Sequence, residues 1–487
     1  MDKGKQAIFS FNYQSWNLAT TIEILARNNH SNFQFTWFDW TGKFVKTFEF
    51  PFADRIHNKL IRQKISKSKF CNQFFPTQEF DLNASNIRES IGSDRALKNL
   101  ATEVAYLELI AVQRDSSPCK KHFAKKLESF EETFVKTYRA AHEVLLLGGY
   151  NQVILYNGRF LQERAVWEAC LKLEIPVIFF EKFNPNWINR FYLFNEATHS
   201  PSYRSSIMNC FGNSLEKNEP RLFDRVGKKW FEDREQGISQ KYTRNQKKGK
   251  FFDLPNRYVV FFHSSEDELL TSDLLSDYWG NQRDALEKLI EVITSHTDLH
   301  LVIRMHPNLL YKSRREIRSW KEIGRNFENA NQSIVFIDSE SDVDSYNLIR
   351  GSLAVVTVGS TIGVEAAFLK KRSILLGRAF HEKMKITSNP ESKEELMDLL
   401  VKPAPVLELN KARHNSLKYA AFHELGGEVF AVVKTSEGRI GNTYTFESLQ
   451  LNLSKISSIL MRLDSLLRRI NHKYRAAENC DSNCVFN

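Results

Sequence analysis

The chain has 487 residues, 42% hydrophobic and 26% charged, with a formal net charge of +10. That length exceeds one ordinary core, so two α/β domains with appendages are expected. The basic excess suits a phosphate-bearing substrate or an anionic membrane surface, and the absence of zinc-finger, homeodomain or RNP-type patterns argues against nucleic acid.

In chain order, strand "QAIFSFNY", a helix from about Ser15 and strand "FQFTWFDW" open an α/β layer. A helical region follows from Arg95 to Leu146, broken near Pro118. Strand "QVILYNG", helix "LQERAVWEACLKLE" and strand "IPVIFFE" then form a βαβ unit, the mark of a parallel sheet. The stretch "QKYTRNQKKGKFFDLPN" is basic and poor in aliphatics, as a linker would be. Beyond it the rhythm restarts with strand "RYVVFF", helix "QRDALEKLIEVITSH", strand "LHLVIRMHP", a basic helix, strand "SIVFID" and a short helix after Asp344. The expected divisions are 1–239, a linker 240–256, 257–404 and an extension 405–487. In that extension Leu449, Leu453, Ile456, Leu460, Leu463, Leu467 and Ile470 alternate four and three apart. Such a seam packs on the body, pairs two copies of the chain, or lies on a membrane with Arg462, Arg468 and Arg469.

No run approaches about eighteen apolar residues, and "MDKGKQAIFSFNYQSW" has no signal-peptide core, so a cytoplasmic protein is expected. Cys71, Cys119, Cys170, Cys210, Cys480 and Cys484 are scattered, consistent with reduced thiols and no zinc site.

Open parallel sheets bind ligands outside the carboxyl ends of their strands. Three loops of the second half fall there. "FFHSSEDE" carries Glu266 and Asp267, "IRMHPN" carries Arg304, His306 and Pro307, and "TVGSTIGVE" carries Ser360 and Thr361. The two hydroxyls at a helix start can cap that helix or hydrogen-bond a phosphate. Gly359 and Gly363 would permit close approach to the backbone, and Glu365, one turn on, could accept from a ribose diol. Arg304 and His306 would add donors to the same phosphate. Asp342–Asp344 spells Asp-x-Asp, a metal motif or a helix cap, and capping is preferred, so neither metal nor cofactor is expected.

These blocks, in their order, resemble the bacterial capsule polysaccharide biosynthesis proteins, the group that includes the Kdo transferases of capsule linker synthesis. "LYNGR…IPVIFFEKF", "FFHSSEDE", "WGNQRDAL", "LVIRMHPN", "DVDSYNLI" and "TVGSTIGVEAAFLKKRSILLG" carry the likeness, from about Asn151 to Gly377. The resemblance implies a GT-B fold, two Rossmann-like domains facing a cleft, without an obligate metal. It implies that His306, Pro307, Ser360 and Thr361 hold a nucleotide-sugar donor, with Glu365 near the ribose. After "LLG" the chain reads "RAFHEKM" rather than the aromatic-rich run of the Kdo-transferase branch, which leaves the sugar open.

The activity so implied is transfer of a sugar to a glycan or lipid-linked glycan, at the inner face of the membrane if the basic runs dock there. Glu181, ending strand "IPVIFFE", is the first choice for the base, with Asp39 and Glu266 as alternatives. Asn157 and Arg159 would orient hydroxyls from the same edge. A nucleotide-sugar epimerase, a teichoic-acid-type glycerophosphotransferase and a non-catalytic scaffold remain as other readings.

Overall fold

The structure, a computed structural model, describes residues 4–11, 15–27, 33–40, 95–182, 184, 188–196, 200–237, 254–272, 274–296, 298–436, 443–446 and 449–451. The chain divides into two compact units, Met1–Leu109 with Pro118–Thr198 and Gly427–Asn487, and Ile110–Ser117 with His199–Gly426.

The first unit opens with β1 (Gly4–Ser10), α1 (Ser15–Arg27) and β2 (Phe33–Asp39). Next come α2 (Arg95–Gln113), whose last residues belong to the second unit, and α3 (Ala124–Gly148). β3 (Gln152–Tyr156), α4 (Leu161–Lys172), β4 (Val177–Glu181) and β5 (Arg190–Phe194) complete the run. The second unit starts with α5 (Pro201–Asn218) and α6 (Pro220–Glu235), then β6 (Tyr258–Phe262), α7 (Glu266–Thr271) and α8 (Gln282–His296). It continues through β7 (His300–Arg304), a 3-10 turn (Pro307–Tyr311), α9 (Arg314–Ala330), β8 (Ile334–Ile337) and α10 (Ser345–Gly351). β9 (Ala354–Thr357), α11 (Ile362–Phe368), β10 (Arg372–Leu375), α12 (Lys393–Val401) and α13 (Val406–Leu425) follow. The chain then returns to the first unit with β11 (Glu428–Val429), β12 (Lys434–Ser436), β13 (Thr443–Phe446) and β14 (Leu449–Gln450).

The first sheet has the order β11-β5-β4-β3-β1-β2, in which β1 to β4 are parallel and β5 and β11 antiparallel. The second, β10-β9-β6-β7-β8, is parallel throughout. Both are Rossmann-like, as the alternation of strands and helices predicts.

All five residues of β6, "YVVFF", are buried because helices cover both faces of its sheet. Val259 and Phe261 join Leu286, Leu289 and Trp320 on one side, while Tyr258, Val260 and Phe262 join Tyr346, Leu348 and Ile349 on the other. A period of two sorts them, and each such side chain contributes about 1.5–3 kcal/mol by leaving water. The basic helix α9 starts on a serine N-cap: Ser313 Oγ accepts from Glu316 N at 3.0 Å.

The expected domain limits and the compact units differ at residues 110–117, at the helices before the linker and beyond residue 404. Helices α5 and α6, assigned from sequence to the first domain, pack in the second unit. Two glycines explain the approach. A Cβ on Gly212 would lie 2.5 Å from Lys418 Cβ, and one on Gly227 would lie 3.0 Å from Leu417 Cδ2, so both helices sit close on α13. Beyond Gly427 the chain rejoins the first unit, where the buried Glu23 carboxylate accepts from Ala431 N at 2.6 Å and Val433 N at 2.7 Å.

Leu449 lies in β14 rather than in a heptad helix, and Leu453 to Ile470 fall outside the described residues. So do Cys71, Cys480, Cys484 and "QKKGK" of the linker. Among the described residues no helix is long and apolar enough to cross a membrane.

Candidate active site

In the second sheet the chain starts at β6, moves outward through β7 and β8, then crosses back to β9 on the other side of β6. The direction reverses between β6 and β9, and the crevice outside their carboxyl ends is where such sheets take ligands. The loop after β6 and the loop after β9 flank that point, with the loop after β7 beside them. The three loops singled out from the sequence are therefore neighbours.

The turn after β9 is tightly supported from below. A Cβ on Gly359 would lie 2.6 Å from Leu269 Cδ2, and one on Gly363 would lie 2.9 Å from Ser373 Oγ. Both glycines answer to packing, which corrects the expectation that Gly363 opens the backbone to an oxyanion. Ser360 Oγ accepts from Ile362 N at 3.3 Å, whereas Thr361 is exposed and its side chain makes no capping bond.

Glu365 is buried under this turn. One carboxylate oxygen accepts from Arg234 Nε at 2.9 Å and Nη2 at 2.6 Å, and the other accepts from the Tyr346 hydroxyl. Arg234 Nη2 also lies 3.5 Å from Thr361 Oγ1. The expected ribose-facing role of Glu365 gives way to an internal one, because both its oxygens are occupied. Arg304 is likewise turned inward, donating to Asp338 O and, at 3.2 Å, to Ser341 O. Burial pulls its pKa down to about 10. Its guanidinium ties β7 to the loop after β8 rather than meeting a phosphate.

His306 is the residue of the second loop that faces outward chemically. Its Nδ1 accepts from Asn308 N at 3.0 Å, capping the turn that Pro307 begins. That bond leaves the proton on Nε2, for which no protein partner exists among the described residues. Burial, with Lys312 and Arg304 nearby, lowers its pKa to about 4, so it is a neutral donor at neutral pH.

The loop after β6 holds a buried polar group. His263 packs edge-to-face on Trp320 at 4.5 Å, and neither ring nitrogen has a partner among the described residues. Burial, then His306 and Lys312, press its pKa well below the usual imidazole value. Asp267 accepts from Lys312 Nζ at 2.5 Å. Glu266 has no such cation, and burial beside Glu316 pushes its pKa up to about 8. Of the basic helix and the residues before it, Lys312 pairs in a buried contact with Asp267, and the partly exposed Arg315 pairs with Asp115.

In the first sheet the direction reverses between β1 and β3. The loop after β3 turns sharply, with φ of +53° at Asn157 and +77° at Gly158. Asn157 Nδ2 donates to Glu181, while Asn157 Oδ1 accepts from Arg159 N at 3.1 Å. Glu181 also accepts from its neighbour Lys182 N at 2.7 Å. Burial brings Lys182 down to about 8, though Glu181 opposes the shift. Asp39, half-buried, ends β2 opposite Ser10 on the same carboxyl edge. The structure thus joins Asn157 and Glu181 in one hydrogen-bonded set.

Asp344 caps α10, its Oδ1 accepting from Tyr346 N at 2.8 Å. Among the described residues no three His, Cys, Asp or Glu side chains are grouped to hold a metal ion. Sequence reasoning missed Arg234, Tyr346 and His263. His263 adjoins a recognised motif, but Arg234 is 131 residues from Glu365 and carries no local signal.

Known proteins can now be set beside this geometry. No curated protein matched the chain. Solved structures align with it, among them the Thermosulfurimonas dismutans KpsC β-Kdo 2,4 transferase, at 13% identity over 66% of this chain and 93% of that one, with a TM-score of 0.34. The β-Kdo 2,7 transferase of the same organism aligns at 12% identity over 67% and 89%, with a TM-score of 0.33. The Neisseria meningitidis UDP-GlcNAc 2-epimerase bound to UDP-GlcNAc aligns at 12% identity over 86% and 99%, with a TM-score of 0.26. The fold assignment itself rests on the strand orders above. Residues 239–422, which contain all three switch-point loops, match the family described as capsule polysaccharide biosynthesis protein.

Proposed function

We propose that the chain is a glycosyltransferase of capsule polysaccharide synthesis whose nucleotide-sugar donor binds at the switch point of the second unit. One observation carries the reading: His306 Nε2 and the hydroxyls of Ser360 and Thr361 are donors on two of the three loops at that edge, either side of the loop after β6. A phosphate seated there would draw on neutral donors, which stabilise the departing nucleotide without releasing a proton. Arg304, Gly363 and Glu365 support these loops rather than touch the donor.

Glu181 is the proposed base for the acceptor hydroxyl. Asn157 orients it, and a second donor, the Lys182 N–H, addresses its other carboxylate oxygen. Asp39 stands on the same edge as the alternative. Glu266 is a weaker candidate because burial keeps it protonated at neutral pH. The acceptor is proposed to be a glycan or lipid-linked glycan at the inner membrane face, reached through basic segments, and the reaction to need no metal.

Purified protein incubated with CMP-, UDP- and GDP-sugars, CMP-Kdo included, tests the reading. Acceptor-dependent nucleotide release is expected for one donor class. Alteration of a UDP-sugar without acceptor would make the chain an epimerase, and binding without turnover a scaffold. Flotation with phosphatidylglycerol vesicles tests docking: recovery with the vesicles at low salt and loss at high salt is expected.

A further inference from the structure

Helix α6 lies far in sequence from the donor loops, yet two of its residues grip the short helix behind them. Phe231 stacks on Phe368 at 4.0 Å with the rings 5° from parallel, and Arg234, one turn on, donates twice to one carboxylate oxygen of Glu365. Tyr346 of α10 closes the other side of the same carboxylate. The Arg234 guanidinium rests on the Trp230 ring at 4.5 Å, and its neighbour Glu235 pairs with Arg350 of α10. The Arg234 side chain is 10% exposed and that of Glu365 1%.

Burying such a pair is a poor way to gain stability, since apolar residues of the same volume often serve as well. What the charged trio adds is direction. Two guanidinium N–H groups hold one carboxylate oxygen, and the phenol holds the second. Glu365 is four residues from Thr361, so one turn of helix transmits that fix to the donor turn. Glu365 N also donates to Thr361 O at 3.3 Å.

We infer that Arg234, with Tyr346, is a positioning residue for donor binding: acting through Glu365, it sets where the Ser360–Thr361 turn stands. The inference rests on the donor site proposed above. It assigns a role in the site to α6, a helix outside the three loops.

The test titrates CMP, UDP and GDP into full-length wild type, Arg234→Lys and Tyr346→Phe, and measures donor KM and kcat with thermal unfolding alongside. Lysine keeps the charge but loses the fork, and phenylalanine keeps the ring but loses one bond. Affinity for the nucleotide that binds wild type should fall about tenfold in Arg234→Lys and about threefold in Tyr346→Phe, the loss of one or two hydrogen bonds. Donor KM should rise with kcat within about twofold. Lys229→Ala, which breaks only an exposed pair with Asp233 on α6, should change neither. Folded variants with a lowered Tm but unchanged affinity and KM overturn the inference, leaving a structural clamp and an intact donor site. Should Arg234→Lys not fold, Tyr346→Phe decides alone. A wild type that binds none of the three nucleotides overturns the donor site and the inference together.

Discussion

The carboxyl edges of the two sheets hold their polar residues in opposite ways. At the first, Glu181 is addressed by an amide side chain and a backbone N–H, both neutral. At the second, Asp267 is matched by Lys312, Glu365 by Arg234 and Tyr346, and Arg304 by two carbonyls. A carboxylate held by neutral donors has no cation matched to its charge. A carboxylate matched by a buried cation is a strut. The comparison suggests a division of labour in which the first edge does chemistry and the second holds a ligand with neutral donors set on an ionic frame.

The largest effect should come from removing the chemistry alone. Glu181→Gln is expected to lower kcat about 10²–10⁴-fold, the usual worth of a general base. Nucleotide affinity should stay within about twofold, because the second edge is untouched. A loss of affinity instead of turnover would reverse the proposed division. Retained turnover would move the base to Asp39.

The second edge makes its own prediction through pH. Glu266 has a folded pKa of about 8, raised by burial and by Glu316. Between about pH 4.5 and 8 the folded state therefore keeps a proton that the unfolded chain releases. Stability from this group is full below about pH 4.5 and is lost as pH rises toward 8, by at most about 1.4 kcal/mol per pH unit. Glu266→Gln abolishes that slope. Denaturant midpoints of mutant and wild type should diverge in the mutant's favour as pH increases. Parallel curves would mean that Glu266 is ionised in the fold.

How much of this contrast was legible beforehand depends on the range of each contact. The strands and most flanking helices were legible because burial on both faces leaves runs such as "YVVFF", and the Asp344 cap was legible because capping is local. The three loops followed from strand order alone. The partners of Glu365 were not legible: Tyr346 and Arg234 stand 19 and 131 residues away, and a glutamate one turn into a helix looks the same whether it faces solvent or an arginine. Arg304 failed for a related reason. At a strand end it reads as a phosphate ligand until the carbonyls of the next loop are in place. Helices α5 and α6 were missed because their apolar faces answer to α13, some two hundred residues on, and glycines at the contact points lower the local helical signal.

A smaller effect isolates the second edge. His306→Ala should weaken nucleotide affinity by about 1–3 kcal/mol in a folded protein, the worth of one hydrogen bond to an anion. Since His306 is already neutral, with a pKa near 4, wild-type affinity for an intact nucleotide-sugar should show no step near pH 6.5. A step there would mean that the imidazolium, not the neutral ring, meets the phosphate.

The smallest expected effect is none, and it asks whether neutral donors suffice. Phosphate oxygens released from a sugar need their charge stabilised, and a divalent cation is the usual alternative to protein donors. The Asp-x-Asp motif of the second half is Asp342–Asp344. Asp344 accepts from Tyr346 N at the start of α10, and Val343 between the two acids is buried, so that segment serves the helix. Turning Asp344 to a cation would uncap α10, at about 0.5–2 kcal/mol, and would disturb Tyr346 on the next residue but one. Nucleotide release in excess EDTA should therefore match that in Mg²⁺ within about twofold. If EDTA abolishes release and Mg²⁺ or Mn²⁺ restores it, the second edge binds its donor through a metal. Asp342→Asn and Asp344→Asn would then lose activity at saturating donor, whereas a cap that only steadies α10 would lower Tm and leave kcat in place.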